Sequence, residues 1–240
     1  MNRPAFGVFY GVGVGPGDPE LITRKAERIL NEVDWIFLPA GGNNGSFVRR
    51  IVEPLGLPTA KFRPVSLCMS RDRSEDTNAY RLAANEIAKE LHQGKSVAWL
   101  TEGDPLFYST FLNLYDEIGR DPRIHMEIVP GVTSASAAAA RAGVTVARLH
   151  ERVAVVPAVY GIERLPAYLE EFTTVFLLKV NSVFDQLLAI IPALGPRVRA
   201  IYVEQVGTTS ERVVTDLQSL RGQKLPYFSL VILRREEHQP

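Results

Sequence analysis

Residues 101–111 read TEGDPLFYSTF, directly after the apolar run SVAWL at residues 96–100. A β-type run that breaks into Gly103-Asp104-Pro105 marks a strand end from which a loop leaves a sheet. In open α/β sheets, ligands are received in the crevice beyond such carboxyl ends. Two further segments have the same form, a strand running into a glycine loop that opens a helix. They are residues 11–23, GVGVGPGDPELIT, and residues 130–140, PGVTSASAAAA. Three strand-to-loop passages of this kind predict one sheet edge carrying three loops.

Outward from these loops the chain alternates strands and helices. Residues 6–14, FGVFYGVGV, read as a buried first strand, and residues 19–31 as a helix with Leu21, Ile22, Ala26, Ile29 and Leu30 at helical recurrence. Residues 35–38 read as a strand, 46–55 as a helix closed by Gly56 and Pro58, and 60–67 as a strand. Residues 71–78 read as a charged surface loop. Residues 77–93 give the strongest helical pattern, with Leu82, Ala83, Ile87, Ala88 and Leu91 on one face and Gly94 as C-terminal cap. A helix at 107–118, a strand at 124–129 and a small-residue helix at 134–142 follow. Such βαβ alternation predicts a mainly parallel sheet. Beyond residue 134 the strand candidates are 153–156, 174–178, 200–204, 211–215 and 227–233. The last two lie close in sequence and suggest an antiparallel element, hence a mixed second sheet. The expected organisation is two α/β domains, residues 1–134 and 135–240.

The gross composition limits the function. The 240 residues are 46% hydrophobic, enough for a substantial core, and 27 Lys and Arg balance 27 Asp and Glu. A zero net charge gives no electrostatic case for nucleic acid. The single cysteine, Cys68, excludes an intrachain disulfide and fits a reducing compartment. His92, His125, His150 and His238 have no ligand spacing, so no metal site is expected. No secretory signal opens the sequence, and the apolar run at 187–191 is stopped by Pro192. A cytoplasmic protein with no membrane span is expected.

The loops carry the candidate chemistry. In the first, the dinucleotide fingerprint fails, because Pro16 stands where its last glycine is required. Gly15 and Gly103 are expected where backbone approaches a ligand or takes positive φ. Asp104 is an N-cap candidate for the helix after it, and Glu102 and Asp104 beside loop amides suit a ligand with both positive and carboxylate groups. Thr133 or Ser134 is expected to cap the helix at 134, whose free N–H groups suit a carboxylate. The basic residues Arg49, Arg50, Lys61, Arg63, Arg71 and Arg73 are either a solvated face or collectors of a polycarboxylate ligand. Ser109, Thr110 and Ser136 have no histidine at triad spacing, which gives little support to a hydrolase.

YGVGVGPGDPELITRKA at 10–26, TEGDPLFYSTF at 101–111 and EIVPGVTSASAAAA at 127–140 resemble the three N-terminal motifs of the tetrapyrrole (corrin/porphyrin) methylases. YVEQVGTTSERV at 202–213 resembles their late motif. Order and spacing agree along essentially the whole chain. The extended first motif and the YST after GDP are most similar to the branch that methylates C-20 of precorrin-2 or cobalt-factor II. Glu102 stands where relatives often carry glycine, and Lys179 where many carry a small residue.

The resemblance implies two α/β domains with S-adenosylmethionine in the cleft between them, a homodimer, and a tetrapyrrole polycarboxylate as substrate. It places Pro16, Thr101, Glu102, Gly103, Asp104, Phe107, Ser109, Thr110, Thr133, Ser134, Leu178 and Gly207 as cofactor-binding residues. Contacts are expected to be largely main-chain. Arg49, Arg50, Arg63, Arg71 and Arg73 are the candidates for substrate carboxylates, and no residue stands out as a general base. Another activity of the same superfamily remains an alternative: uroporphyrinogen III methylation, a different corrin methylation or diphthine synthesis. So does a non-catalytic tetrapyrrole-binding module.

Overall fold

Strict two-residue alternation in three buried strands builds the first sheet. In β1 (Val8–Gly13), β2 (Trp35–Ala40) and β4 (Val97–Thr101), Val12, Ile36, Leu38, Ala98 and Leu100 face one side, while Phe9, Trp35, Phe37, Val97 and Trp99 face the other. With β3 (Phe62–Ser66) and β5 (His125–Val129) they form a five-stranded, all-parallel sheet in the order β3-β2-β4-β1-β5. Both faces must be covered for such a sheet to be stable. One is covered by α1 (Arg24–Glu32) and α2 (Phe47–Val52), through Ala26, Ile29, Leu30, Val48 and Ile51. The other is covered by α3 (Arg73–His92) and α4 (Phe111–Ile118), through Tyr80, Ile87, Leu91, Phe111 and Leu114. The computed structural model describes residues 6–40, 46–66 and 73–236, the side chains of residues 73–77 excepted.

Residues 1–133 form one compact unit and residues 134–240 another. In the second, α5 (Ser134–Ala142) lies against β8 (Val198–Glu204). The remaining elements are β6 (Val153–Pro157), α6 (Leu165–Glu171), β7 (Thr174–Leu178), α7 (Phe184–Ile190), β9 (Arg212–Val214) and β10 (Ser229–Arg235). The five strands run in the order β6-β7-β10-β8-β9, with β6 and β7 parallel and the other pairings antiparallel. Leu165, Leu169, Phe184 and Leu187 of α6 and α7 pack on Val175, Leu177, Tyr202, Val231 and Leu233 of the sheet. The α/β architecture and the mixed second sheet agree with the sequence reading.

Several local expectations are corrected. The helix read at 19–31 is two elements: a 3-10 turn, Pro19–Leu21, capped by Asp18, and then α1, capped afresh by Thr23, whose Oγ1 accepts from the Ala26 N–H at 3.2 Å. The loop read at 71–78 is helical from Arg73. Leu82 turns away from the core and is 60% exposed; Ala84 takes the inward position. α4 starts at Phe111 rather than 107, because Tyr108 adopts φ 54° and the Ser109 Oγ accepts from the Phe111 N–H at 3.1 Å. β9 pairs with β8, not with β10. Cys68, Leu67 and Arg71 lie outside the described residues.

Candidate active site

The carboxyl ends of β1, β4 and β5 stand side by side, with Gly13 opposite Thr101 and Val12 opposite Val129. The loops that leave β1 and β4 are locked to one another by backbone hydrogen bonds. The Val14 N–H donates to the Thr101 carbonyl at 3.0 Å, and the Gly103 N–H donates to the Gly15 carbonyl at 2.8 Å. Gly15 and Gly103 form an isolated bridge and sit at φ 78° and 67°, the left-handed region expected of them. The closest approach is elsewhere. A Cβ on Gly131 would lie 2.1 Å from the Gly103 carbonyl oxygen, and one on Gly13 would lie 2.6 Å from the same atom. Gly13 and Gly131 thus close on the Gly103 carbonyl with no room for a Cβ, whereas a Cβ on Gly103 would meet only the Val132 carbonyl at 4.0 Å and is opposed by its φ alone. Sequence reasoning singled out Gly103 and missed Gly13 and Gly131 in this role. Their signal was present only as glycines at the ends of two strands whose adjacency is non-local.

Asp104 ties two of these loops. Its Oδ1 accepts from the Leu106 N–H at 2.9 Å and its Oδ2 from the Gly131 N–H at 3.0 Å. It is therefore not the N-cap of α4; Thr110 stands at that position, with no side-chain cap bond. Thr101 is buried, with Oγ1 2.8 Å from the Ser109 Oγ, so the two hydroxyls join the chain of bonds that launches α4. Pro16 is buried beside Gly15, and Phe107 packs edge-to-face on Tyr108 at 5.2 Å.

Glu102 differs from its neighbours. Burial pushes its carboxyl above the ordinary carboxylate range, and only its own backbone N–H opposes the shift. Among the described residues no guanidinium or ammonium offsets that shift, which suits an incoming cation.

In the second unit, β7 and β8 flank the start of β10, with Leu178 opposite Leu230 and Glu204 opposite Ser229. Their carboxyl ends share one sheet edge. Both chains leave it through a non-glycine residue in the left-handed region, Lys179 at φ 58° and Gln205 at φ 46°, followed by Gly207 at φ 81°. Such conformations cost about 1–2 kcal/mol each and cluster at ligand sites. Buried Glu204 accepts from the Tyr202 hydroxyl and from Arg212 Nε at 2.9 Å, which anchors the strand end beneath that turn. Burial, then the Glu204 bond, pushes the Tyr202 hydroxyl well above its usual range, so it stays protonated as donor. Ser134 opens α5 in the same unit, and Thr133 precedes it.

Among the described residues the basic run does not converge. The Arg49 guanidinium lies 3.3 Å from the centroid of Phe62, on the α1–α2 face, and its Nη1 is buried with no partner among the described residues. Arg63 lies on the opposite face, 3.7 Å from the centroid of Trp35, and donates to the Ala60 and Phe62 carbonyls. Both Trp35 and Arg63 belong to the strand ends away from the loops. Lys61 Nζ donates to the Asn31 carbonyl at 2.6 Å. Arg50 is exposed, 5.5 Å from the Phe47 ring. Arg73 opens α3, where its backbone alone is described.

Comparison with known proteins gives this geometry a family. Residues 8–221 match the pattern of the Tetrapyrrole (Corrin/Porphyrin) Methylases. A precorrin-2 C(20)-methyltransferase from Sinorhizobium sp is 30% identical, with 100% of each chain covered. A cobalt-precorrin-2 C(20)-methyltransferase from Salmonella typhimurium is 30% identical over 96% of this chain and 97% of its own. The uroporphyrin-III C-methyltransferase of Thermus thermophilus, solved in complex with S-adenosylhomocysteine, shares the fold at a TM-score of 0.67 and 24% identity, covering 95% of this chain and 97% of its own. The chain belongs to the tetrapyrrole (corrin/porphyrin) methylases.

Proposed function

We propose that this protein transfers the methyl group of S-adenosylmethionine to C-20 of precorrin-2, or of its cobalt-bearing counterpart, in cobalamin biosynthesis. The observation that carries this reading is the glycine-locked cradle of Gly13, Gly103 and Gly131, on a chain matched end to end by a precorrin-2 C(20)-methyltransferase. The donor set fits the cofactor: Glu102 is an uncompensated carboxyl suited to an ammonium or sulfonium, and the fixed loop backbone allows close approach. S-adenosylmethionine, when bound, supplies an electrophilic methyl group. The nucleophile is the electron-rich macrocycle carbon, so the chain's own residues serve to bind, align and exclude water. Cobalt, where present, belongs to the substrate.

Incubation with S-adenosylmethionine under anaerobic conditions tests this. Precorrin-2 and cobalt-factor II are supplied separately, and products are read by mass and NMR. At least one is expected to gain a single methyl at C-20. Methylation of uroporphyrinogen III, with neither C-20 substrate turned over, overturns the regiochemistry and leaves the family intact.

The proposed assembly is a homodimer in the cytoplasm, a compartment suited to a chain with one cysteine. Among the described residues no helix is long and apolar enough to cross a membrane. The dimer is supported by the apolar residues left exposed on the neighbouring helices α3 and α4 and the loop before α4: Leu82, Leu106, Tyr108, Leu112 and Tyr115. Exposed apolar groups are one mark of an interaction surface. Light scattering is expected to give twice the chain mass for wild type and a shift toward monomer for Leu82→Glu with Leu112→Glu; a wild-type monomer at micromolar concentration rejects the assembly.

A further inference from the structure

The late motif, YVEQVGTTSERV, carries two glutamates, and the structure gives them separate work. Glu204 anchors the strand end. Glu211, expected in a strand, instead lies in the loop just before β9, its side chain only 11% exposed. Its Oε2 accepts from the Gly207 N–H at 2.8 Å, and its Oε1 accepts from Arg141 Nε on α5 at 2.5 Å. Between Glu204 and Glu211 the chain makes a tight turn. The Thr208 N–H and Oγ1 both donate to the Gln205 carbonyl, at 3.0 and 2.8 Å, and the Glu211 N–H donates to the Thr208 carbonyl at 3.1 Å. Gln205 and Gly207 are both left-handed, and the former is an unfavourable conformation for a residue with a Cβ.

We propose that Glu211 is a positioning residue for the cofactor: its carboxylate holds the Gly207 amide, and with it the strained turn at 205–207, in the binding shape, and Arg141 holds Glu211. The inference rests on the reading above, in which Gly207 is a cofactor-contacting position. It also sets the chemistry that Gly207 offers. With its N–H taken by Glu211, Gly207 presents only its carbonyl oxygen, an acceptor. The matching ligand group is a donor, such as the adenine amine or a ribose hydroxyl. The amide that Glu211 holds is coplanar with the Val206 carbonyl, so that peptide plane is fixed directly, and the Gly207 carbonyl is set from it by the left-handed φ of 81°.

Calorimetry with S-adenosylhomocysteine tests this, with KM for the tetrapyrrole measured in parallel. Wild type is expected to bind; wild type that does not bind rejects the underlying cofactor reading, independently of Glu211. Glu211→Ala is expected to weaken binding by about tenfold, the effect of one charge-assisted hydrogen bond, with tetrapyrrole KM unchanged. Glu211→Gln retains an acceptor for the Gly207 N–H but turns its NH2 toward Arg141, and is expected to weaken binding by about threefold, between wild type and Glu211→Ala. Arg141→Ala leaves Glu211 on Gly207 and is expected to weaken binding by about two- to threefold. A merely structural role predicts a lower melting temperature with unchanged affinity, and that result for Glu211→Ala overturns the proposal. If Glu211→Ala does not fold, Glu211→Gln decides: wild-type affinity with a lowered melting temperature overturns the proposal, and a loss of affinity with tetrapyrrole KM unchanged upholds it.

Discussion

Gly131→Ala is expected to abolish methyl transfer and to destabilise the protein by at least about 3 kcal/mol. The added Cβ meets backbone on every side: the Gly103 carbonyl oxygen at 2.1 Å and Gly13 main-chain atoms at 2.9 and 3.0 Å. No flexible side chain is present to yield, so strands must separate. Relief requires the loop after β4 to move, and that breaks the reciprocal Gly15–Gly103 bonds and the Asp104–Gly131 bond together. Gly56→Ala is the control, since its Cβ meets nothing within 4 Å and only the left-handed φ of 64° opposes it. A cost of about 1 kcal/mol is expected there. Urea denaturation and S-adenosylhomocysteine calorimetry on both variants check the contrast; equal stability losses would show that the glycine contact is not what constrains residue 131.

Asp104→Ala is expected to cost about 2–4 kcal/mol in stability and to weaken cofactor binding by at least tenfold. It leaves the Leu106 and Gly131 N–H groups without their charged acceptor. Asp104→Asn is not a conservative repair. Both carboxylate oxygens accept from backbone donors, so one donor must face an NH2 group whichever way the amide turns. No more than half the loss is expected to be recovered. Full recovery by asparagine, in the same calorimetric titration and denaturation curves, would mean that only one of the two bonds matters. The sequence reading made Asp104 a partner of ligand; the structure shows that its first partners are the loops themselves.

Much of the architecture was legible because its signals are local. Residues 134–142 and 174–178 carry complete helix and strand patterns, and the structure places α5 and β7 on those bounds. What was not legible was decided by partners distant in sequence. The start of α4 depends on a left-handed Tyr108 and a Ser109 hydroxyl, against an apolar pattern that continues back to Phe107. β10 leaves its sequence neighbour β9 for the gap between β7 and β8, which no nearby residue specifies. The importance of Gly13 and Gly131 depends on β1 and β5 being adjacent, a register not readable from either strand alone. For the basic residues, a run of like charge in sequence crosses from one sheet face to the other between Phe62 and Arg63, as alternation in a strand requires.

The central place of β10 in the second sheet has a consequence during synthesis on the ribosome. A nascent chain extended to residue 228 already holds β6, β7, β8 and β9, but as two separate pairs, β6 with β7 and β8 with β9. The facing edges of β7 and β8 stay open until Ser229–Arg235 emerges, and open apolar edges are templates for pairing with other chains. Domains ordinarily fold as units in the order of their synthesis. Among the described residues the first sheet has its strands once residue 129 is made, whereas the second sheet closes only with β10, so the interval between the two events is when its apolar edges are open to other chains.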